Sequence, residues 1–148
     1  MITDKLNTFS AAQVISATAV STNVIDLGPL GGNNTVRDIG QGEPVQLTVR
    51  VGSTAMAGGT SIQAVLETSL SEGSGYTTLL AGPVVPLASL TAGAKIFEGP
   101  VPTGVQRYLR MNYVVVGPFT GSSNVNAGLV ETLQNPSNQF GSGYSLDT

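Results

Sequence analysis

Apolar and polar residues alternate one for one along several stretches of this chain. In Val45-Gln46-Leu47-Thr48-Val49-Arg50-Val51 the four aliphatic positions fall on one face, and Gln46, Thr48 and Arg50 on the other. A period of two marks a half-buried strand, because successive side chains point to opposite faces of a sheet. Residues 62–70 repeat the pattern, with Ile62, Ala64, Leu66, Thr68 and Leu70 on one side and Gln63, Val65, Glu67 and Ser69 on the other. Residues 105–116 predict a long strand. It groups Leu109, Met111, Tyr113 and Val115 on one face, opposite Tyr108, Arg110, Asn112 and Val114. Residues 13–27 predict one or two strands, with Val14, Ser16, Thr18 and Val20 together and a kink at Asn23. Short strands are expected over 77–81, 84–87 and 95–98, and a last strong one over 125–133. No segment carries a sustained 3.6-residue period of helical length.

Turn residues separate these runs. Gly28-Pro29, Gly82-Pro83, Gly99-Pro100 and Gly117-Pro118 are read as strand ends, since Gly and Pro break regular structure. Pro86 argues for an edge strand, because proline cannot donate to a ladder. Residues 30–43 read as a long Gly- and Asn-rich loop. Seven to nine strands with turns between them predict an all-β fold, an antiparallel β-sandwich that is jelly-roll-like with extended terminal arms. The expected organisation is an N-terminal arm over 1–12, a sandwich over 13–133 and a C-terminal arm over 134–148. Residues 3–10 read as one helical turn or an extended arm. The polar residues 134–148 read either as a frayed tail or as an arm whose two isolated aromatics, Phe140 and Tyr144, anchor on a neighbouring subunit.

Composition narrows the function. The 148 residues allow one domain. Hydrophobic residues make up 41% and charged ones 10%, against about 25% charged in ordinary soluble domains. Ser, Thr, Asn, Gln and Gly fill the gap, which suits either a soluble β-protein with a hydroxyl-rich surface or a subunit that spends its life against other subunits. Cysteine and histidine are both absent. That excludes disulfides, thiolate zinc sites and Ser-His-Asp chemistry. The formal net charge is −3 and the cations are scattered, so no nucleic-acid partner is expected. No stretch approaches the roughly 18 apolar residues of a membrane span, and the first residues do not read as a signal peptide. A cytoplasmic site of assembly is expected.

Candidate chemistry is sparse. Glu67 and Glu131 sit on predicted strands and are the carboxylate pair to weigh for glycoside cleavage. Solvated outward residues or partners of an Arg are the simpler explanation of both. Asp26, Asp38, Asn33 and Asn34 supply oxygens for a calcium ion, but their spacing matches no EF-hand loop, and Asx turns account for them. No catalytic residue, cofactor or metal is therefore expected. Arg107-Tyr108-Leu109-Arg110 stands apart, because Arg and Tyr are enriched at protein interfaces; an Arg stem covering a sheet edge, with an ordinary ion pair, is the other reading of the same run. The candidate contact residues are Lys5, Phe9, Arg107, Tyr108, Arg110, Phe140 and Tyr144. A carbohydrate- or receptor-binding sandwich is the alternative, with Tyr76, Tyr108, Tyr113 and Tyr144 as its stacking platform.

The opening run from Asp4 to Gln13, the following Ser16 to Gly28, Val45-Gln46-Leu47-Thr48-Val49, Gln106-Arg107-Tyr108-Leu109-Arg110 with Tyr113, and Ala127-Gly128-Leu129-Val130 together carry a resemblance. The chain resembles the capsid cement (decoration) proteins of tailed phages, the family typified by the cement protein of the Bordetella tropism-switching phage. The resemblance implies a jelly-roll-like sandwich without enzymatic activity. It implies a homodimer, with a trimer compatible, seated on the capsid exterior against the major capsid protein. It carries over no contact residue.

Overall fold

The computed structural model describes residues 5–28, 44–131 and 133. Nine strands run through them: β1 (Thr8–Val14), β2 (Ala19–Val20), β3 (Ile25–Asp26), β4 (Gln46–Val51), β5 (Ser61–Ser69), β6 (Thr77–Pro86), β7 (Lys95–Pro100), β8 (Tyr108–Val116) and β9 (Asn124–Val130). They form two antiparallel sheets, β1-β9-β4-β7 and β2-β8-β5-β6, with β3 also pairing with β8. The pairs nest: β5 with β6, β4 with β7, β2 and β3 with β8, β1 with β9. Such nesting is one long hairpin rolled up, the jelly-roll order.

The alternation decides which faces meet. Leu47, Val49 and Val51 of β4 and Val125, Ala127 and Leu129 of β9 face Ile62 and Leu66 of β5 and Leu109, Met111 and Tyr113 of β8 in one buried cluster. Burying each large side chain contributes about 1.5–3 kcal/mol. One polar bond crosses between the sheets inside this core: the Ser10 and Tyr113 hydroxyls lie 2.7 Å apart. Burial pushes the Tyr113 phenol well above its ordinary pKa, and the Ser10 bond only partly offsets this.

Three expectations need correction. The sandwich begins at Thr8, not at residue 13, and Phe9 is fully buried in the core. Bulges hide this in the sequence. The pairs run Thr8 with Gly128, Ser10 with Ala127, then Gln13 with Val125, so β1 carries an extra residue twice and loses its period of two. Ala12 takes the strain with φ +48°, and its N–H donates to Asn126 Oδ1 at 2.7 Å. Second, residues 77–86 are one strand rather than two. A register shift between Gln63 and Val65 absorbs Gly82-Pro83. A β-carbon on Gly82 would lie 3.0 Å from the Ala64 carbonyl oxygen and 2.9 Å from the Phe97 ring, so glycine is needed there. Pro86 does lie on an edge strand. Third, Leu70 falls just past the end of β5 and is exposed. The loop over 30–43 and the arm over 134–148 lie outside the described residues.

The hydroxyl-rich composition has a structural use. β8 is flanked by two strands of only two residues each, and side chains fill the gaps between them. The Met111 N–H donates to Ser21 Oγ at 3.1 Å, and the Val115 N–H to Thr18 Oγ1 at 2.9 Å. Ser21→Ala leaves the buried Met111 N–H without its acceptor. The expected loss is about 1–3 kcal/mol of unfolding free energy, measured by urea denaturation; an unchanged midpoint contradicts this role.

Candidate interaction face

The outward face of the β2-β8-β5-β6 sheet has two halves. At one end lie the sequence candidates. Arg107 holds Asp26 in a two-pronged pair, Nε to Oδ1 and the terminal nitrogen to Oδ2, both at 2.9 Å. This fork fits a carboxylate, and the Asp26 bond raises the Arg107 pKa. The guanidinium sits 4.8 Å from the Tyr108 ring centre. One step along β8, Arg110 Nε donates to Glu67 Oε2 at 2.7 Å, and Asn112 Nδ2 to Glu67 Oε1 at 3.0 Å. The Arg110 guanidinium covers Tyr76 at 3.8 Å from the ring centre, within cation–π range. The Tyr76 hydroxyl donates to the Glu72 carbonyl at 2.9 Å. Both cations at this end are thus answered by carboxylates within the same chain.

At the other end the face turns apolar. Val114, Gln63 and Val84 form one row across β8, β5 and β6. Val116 lies two residues beyond Val114 on the same face, and Val20 pairs beside Asn112. Val20, Val84, Val114 and Val116 are 43%, 60%, 36% and 56% exposed. Gln63 stands between Val84 and Val114 and Asn112 beside Val20, so the four valines share the face with amide side chains; several exposed apolar residues on one face mark an interaction site better than a single one does. The sequence carried a faint sign of it. Val114 falls on the outward side of its strand's alternation, and few charges are available to cover that face.

The other candidates separate. Lys5 is exposed in the single 3-10 turn that precedes β1, under the opposite sheet. Phe9 is in the core and is not a surface contact in this chain. Phe140 and Tyr144 lie outside the described residues. The structure therefore brings together Arg107, Tyr108 and Arg110, and it adds Tyr76, Glu67 and Asp26 to them. The tyrosine platform does not assemble: Tyr113 is buried, and Tyr76 has one face under Arg110. Glu67 lies on β5 while Glu131 falls just past the end of β9, a strand of the other sheet, and the Glu67 carboxylate is taken up by Arg110 and Asn112. Of the calcium candidates, Asp26 is engaged by Arg107 and by the Gly28 N–H at 2.8 Å. Asn33, Asn34 and Asp38 lie outside the described residues.

A second charged cluster lies on the outward face of the β1-β9-β4-β7 sheet. Glu98, its side chain 8% exposed, pairs with Arg50 and with Lys95 Nζ at 2.8 Å. Burial pushes the Glu98 carboxyl up, but hydrogen bonds and charge from Lys95 and Arg50 outweigh it and hold the pKa below the ordinary value. A lowered folded pKa means the ionised pair stabilises above the unfolded carboxyl pKa, about 4.3. That contribution is lost as pH falls through the lowered folded value. Glu98→Gln is therefore expected to narrow the stability difference between neutral and acid pH, read as thermal midpoints; an unchanged pH profile contradicts it.

The chain is thus an all-β sandwich in jelly-roll order, whose outer face carries paired arginines and aromatic rings at one end and exposed valines at the other. A family model matches the chain over residues 9–129, and the chain belongs to that family, Bbp16, a family of phage proteins. No curated protein matches it.

Proposed function

We propose that this phage protein is a structural part of the virion, binding the outside of the major capsid protein shell and cementing it. The observation that carries the reading is the valine field beside internally neutralised arginines. A face with its charges already answered gains little from an ionic ligand and much from covering apolar area with another protein, at about 25 cal/mol per Å² before the costs of association. No reaction and no cofactor enter the proposal. Copies associate with one another on the shell, as dimers or trimers, and many copies on one lattice add avidity. The test is co-sedimentation of the purified protein with expanded shells stripped of it. Saturable binding at a fixed ratio to the capsid subunit is expected, with shells that then resist heat. Protein that stays in the supernatant overturns the reading.

A further inference from the structure

The outward face of the β1-β9-β4-β7 sheet holds a cavity of about 350 Å³, on the opposite side of the sandwich from the valine field. Its volume falls at the small end of ligand pockets, about 300–1,000 Å³. Two rows of paired residues run beneath it. Gly128 pairs with Thr8 on one side and Thr48 on the other, and Arg50 pairs with Asn126 and with Lys95. Gly128 lets Asn7 and Thr8 come in close over the sheet and wall the hollow, since a β-carbon there would lie 3.0 Å from the Asn7 carbonyl oxygen. Arg50 is the one charged residue in the mostly apolar lining. It reaches sideways to Glu98, donating from Nε at 2.8 Å and from Nη2 to the same oxygen, Oε1. Its remaining terminal nitrogen, Nη1, has no partner among the described residues. Lys95 Nζ takes the other oxygen of Glu98 at 2.8 Å. One carboxylate thus serves two cations, and the cluster keeps a surplus positive charge beside the hollow. Asn126 adds a donor: its Oδ1 accepts the Ala12 N–H, and its Nδ2 is left without a partner among the described residues.

We propose that this cavity binds a small free carboxylate with an apolar body, the body in the hollow beside Gly128 and the carboxylate on Arg50 and Asn126. The apolar body gains by leaving water. The ionised head gains a charge-assisted bond from the guanidinium, stronger than a neutral one, and draws on the charge that Glu98 leaves unanswered. An alcohol of the same length keeps the apolar contact and forgoes that bond. An ammonium meets the surplus positive charge and is repelled. The chemistry of the site therefore sorts three ligands of one shape by their heads alone. This site goes beyond the capsid-binding reading and stands without it.

The test is titration of the isotope-labelled full-length protein with hexanoate, hexanol and hexylammonium, followed by amide proton–nitrogen correlation spectra. With millimolar hexanoate the Gly128, Ala127 and Asn126 amide signals are expected to move together and saturate. Hexanol is expected to bind about tenfold more weakly, the loss of one charge-assisted bond, and hexylammonium more weakly still. Arg50→Gln is expected to bring hexanoate down to the affinity of hexanol. Ala11→Leu, at an exposed position of the rim, is expected to fill the hollow and abolish binding of both. It keeps the test decisive should Arg50→Gln fail to fold. Hexanoate that gives no saturable shift at Gly128 overturns the proposal. So does hexanol binding as tightly as hexanoate, because the head is then not read. Hexanoate binding undiminished in Ala11→Leu also overturns it, because the ligand then sits elsewhere. All arms use the isolated protein, so the result is separate from capsid binding.

Discussion

Phe9→Ala is expected to lower the unfolding free energy by about 3–5 kcal/mol, the range for emptying a buried aromatic site. Phe9 is wholly buried, and its strand closes the outermost pair of the roll, β1 on β9. The cavity cannot be refilled cheaply, because the backbone beside it is pinned at Ser10, whose hydroxyl bonds both Tyr113 and Gln13. A domain of this size has about 5–15 kcal/mol in total, so the variant loses a large share and melts far earlier. Urea denaturation with circular dichroism measures it. A change within about 0.5 kcal/mol, typical of exposed sites, would return Phe9 to a surface arm and contradict the assignment of Thr8–Val14 to the sandwich.

The second large effect is on binding rather than stability. Val84→Lys combined with Val116→Lys puts two desolvation-costly charges into the apolar end of the outer face. Both side chains point away from the core and are more than half exposed, so the fold is expected to hold within about 0.5 kcal/mol per site. Capsid affinity is expected to fall by about thirtyfold or more, the equivalent of a 2 kcal/mol hot spot. Leu70→Lys is the control. Leu70 is as exposed and as apolar, but it sits beyond the end of β5, and its substitution is expected to leave binding unchanged. Equal losses from both variants would mean that general hydrophobicity, not this face, is at work.

How far the chain could be read from its sequence follows from regularity. β4 and β8 declared themselves because nothing interrupts their alternation, and their inward sets are the core set. β1 did not, because two bulges put Phe9 and Ser10 side by side in buried positions and push Ala12 to positive φ. Gly82-Pro83 reads as a break in isolation; only the neighbouring β5 shows that a bulge carries the strand through it. Of the interaction face, the Arg107-Tyr108-Arg110 cluster was visible as a local run. Its partners were not, because Asp26, Glu67 and Tyr76 reach it from other strands and loops, up to 81 residues away in sequence. The valine field was harder still. Its members come from β2, β6 and β8, and each alone is an ordinary exposed valine.

An electron-microscopy map of the phage particle tests the central claim most directly. The account predicts jelly-roll density on the outside of the shell, with the β2-β8-β5-β6 face and its valines covered by a neighbouring protein. Particles with no such density, or with that face bare toward solvent, would contradict it.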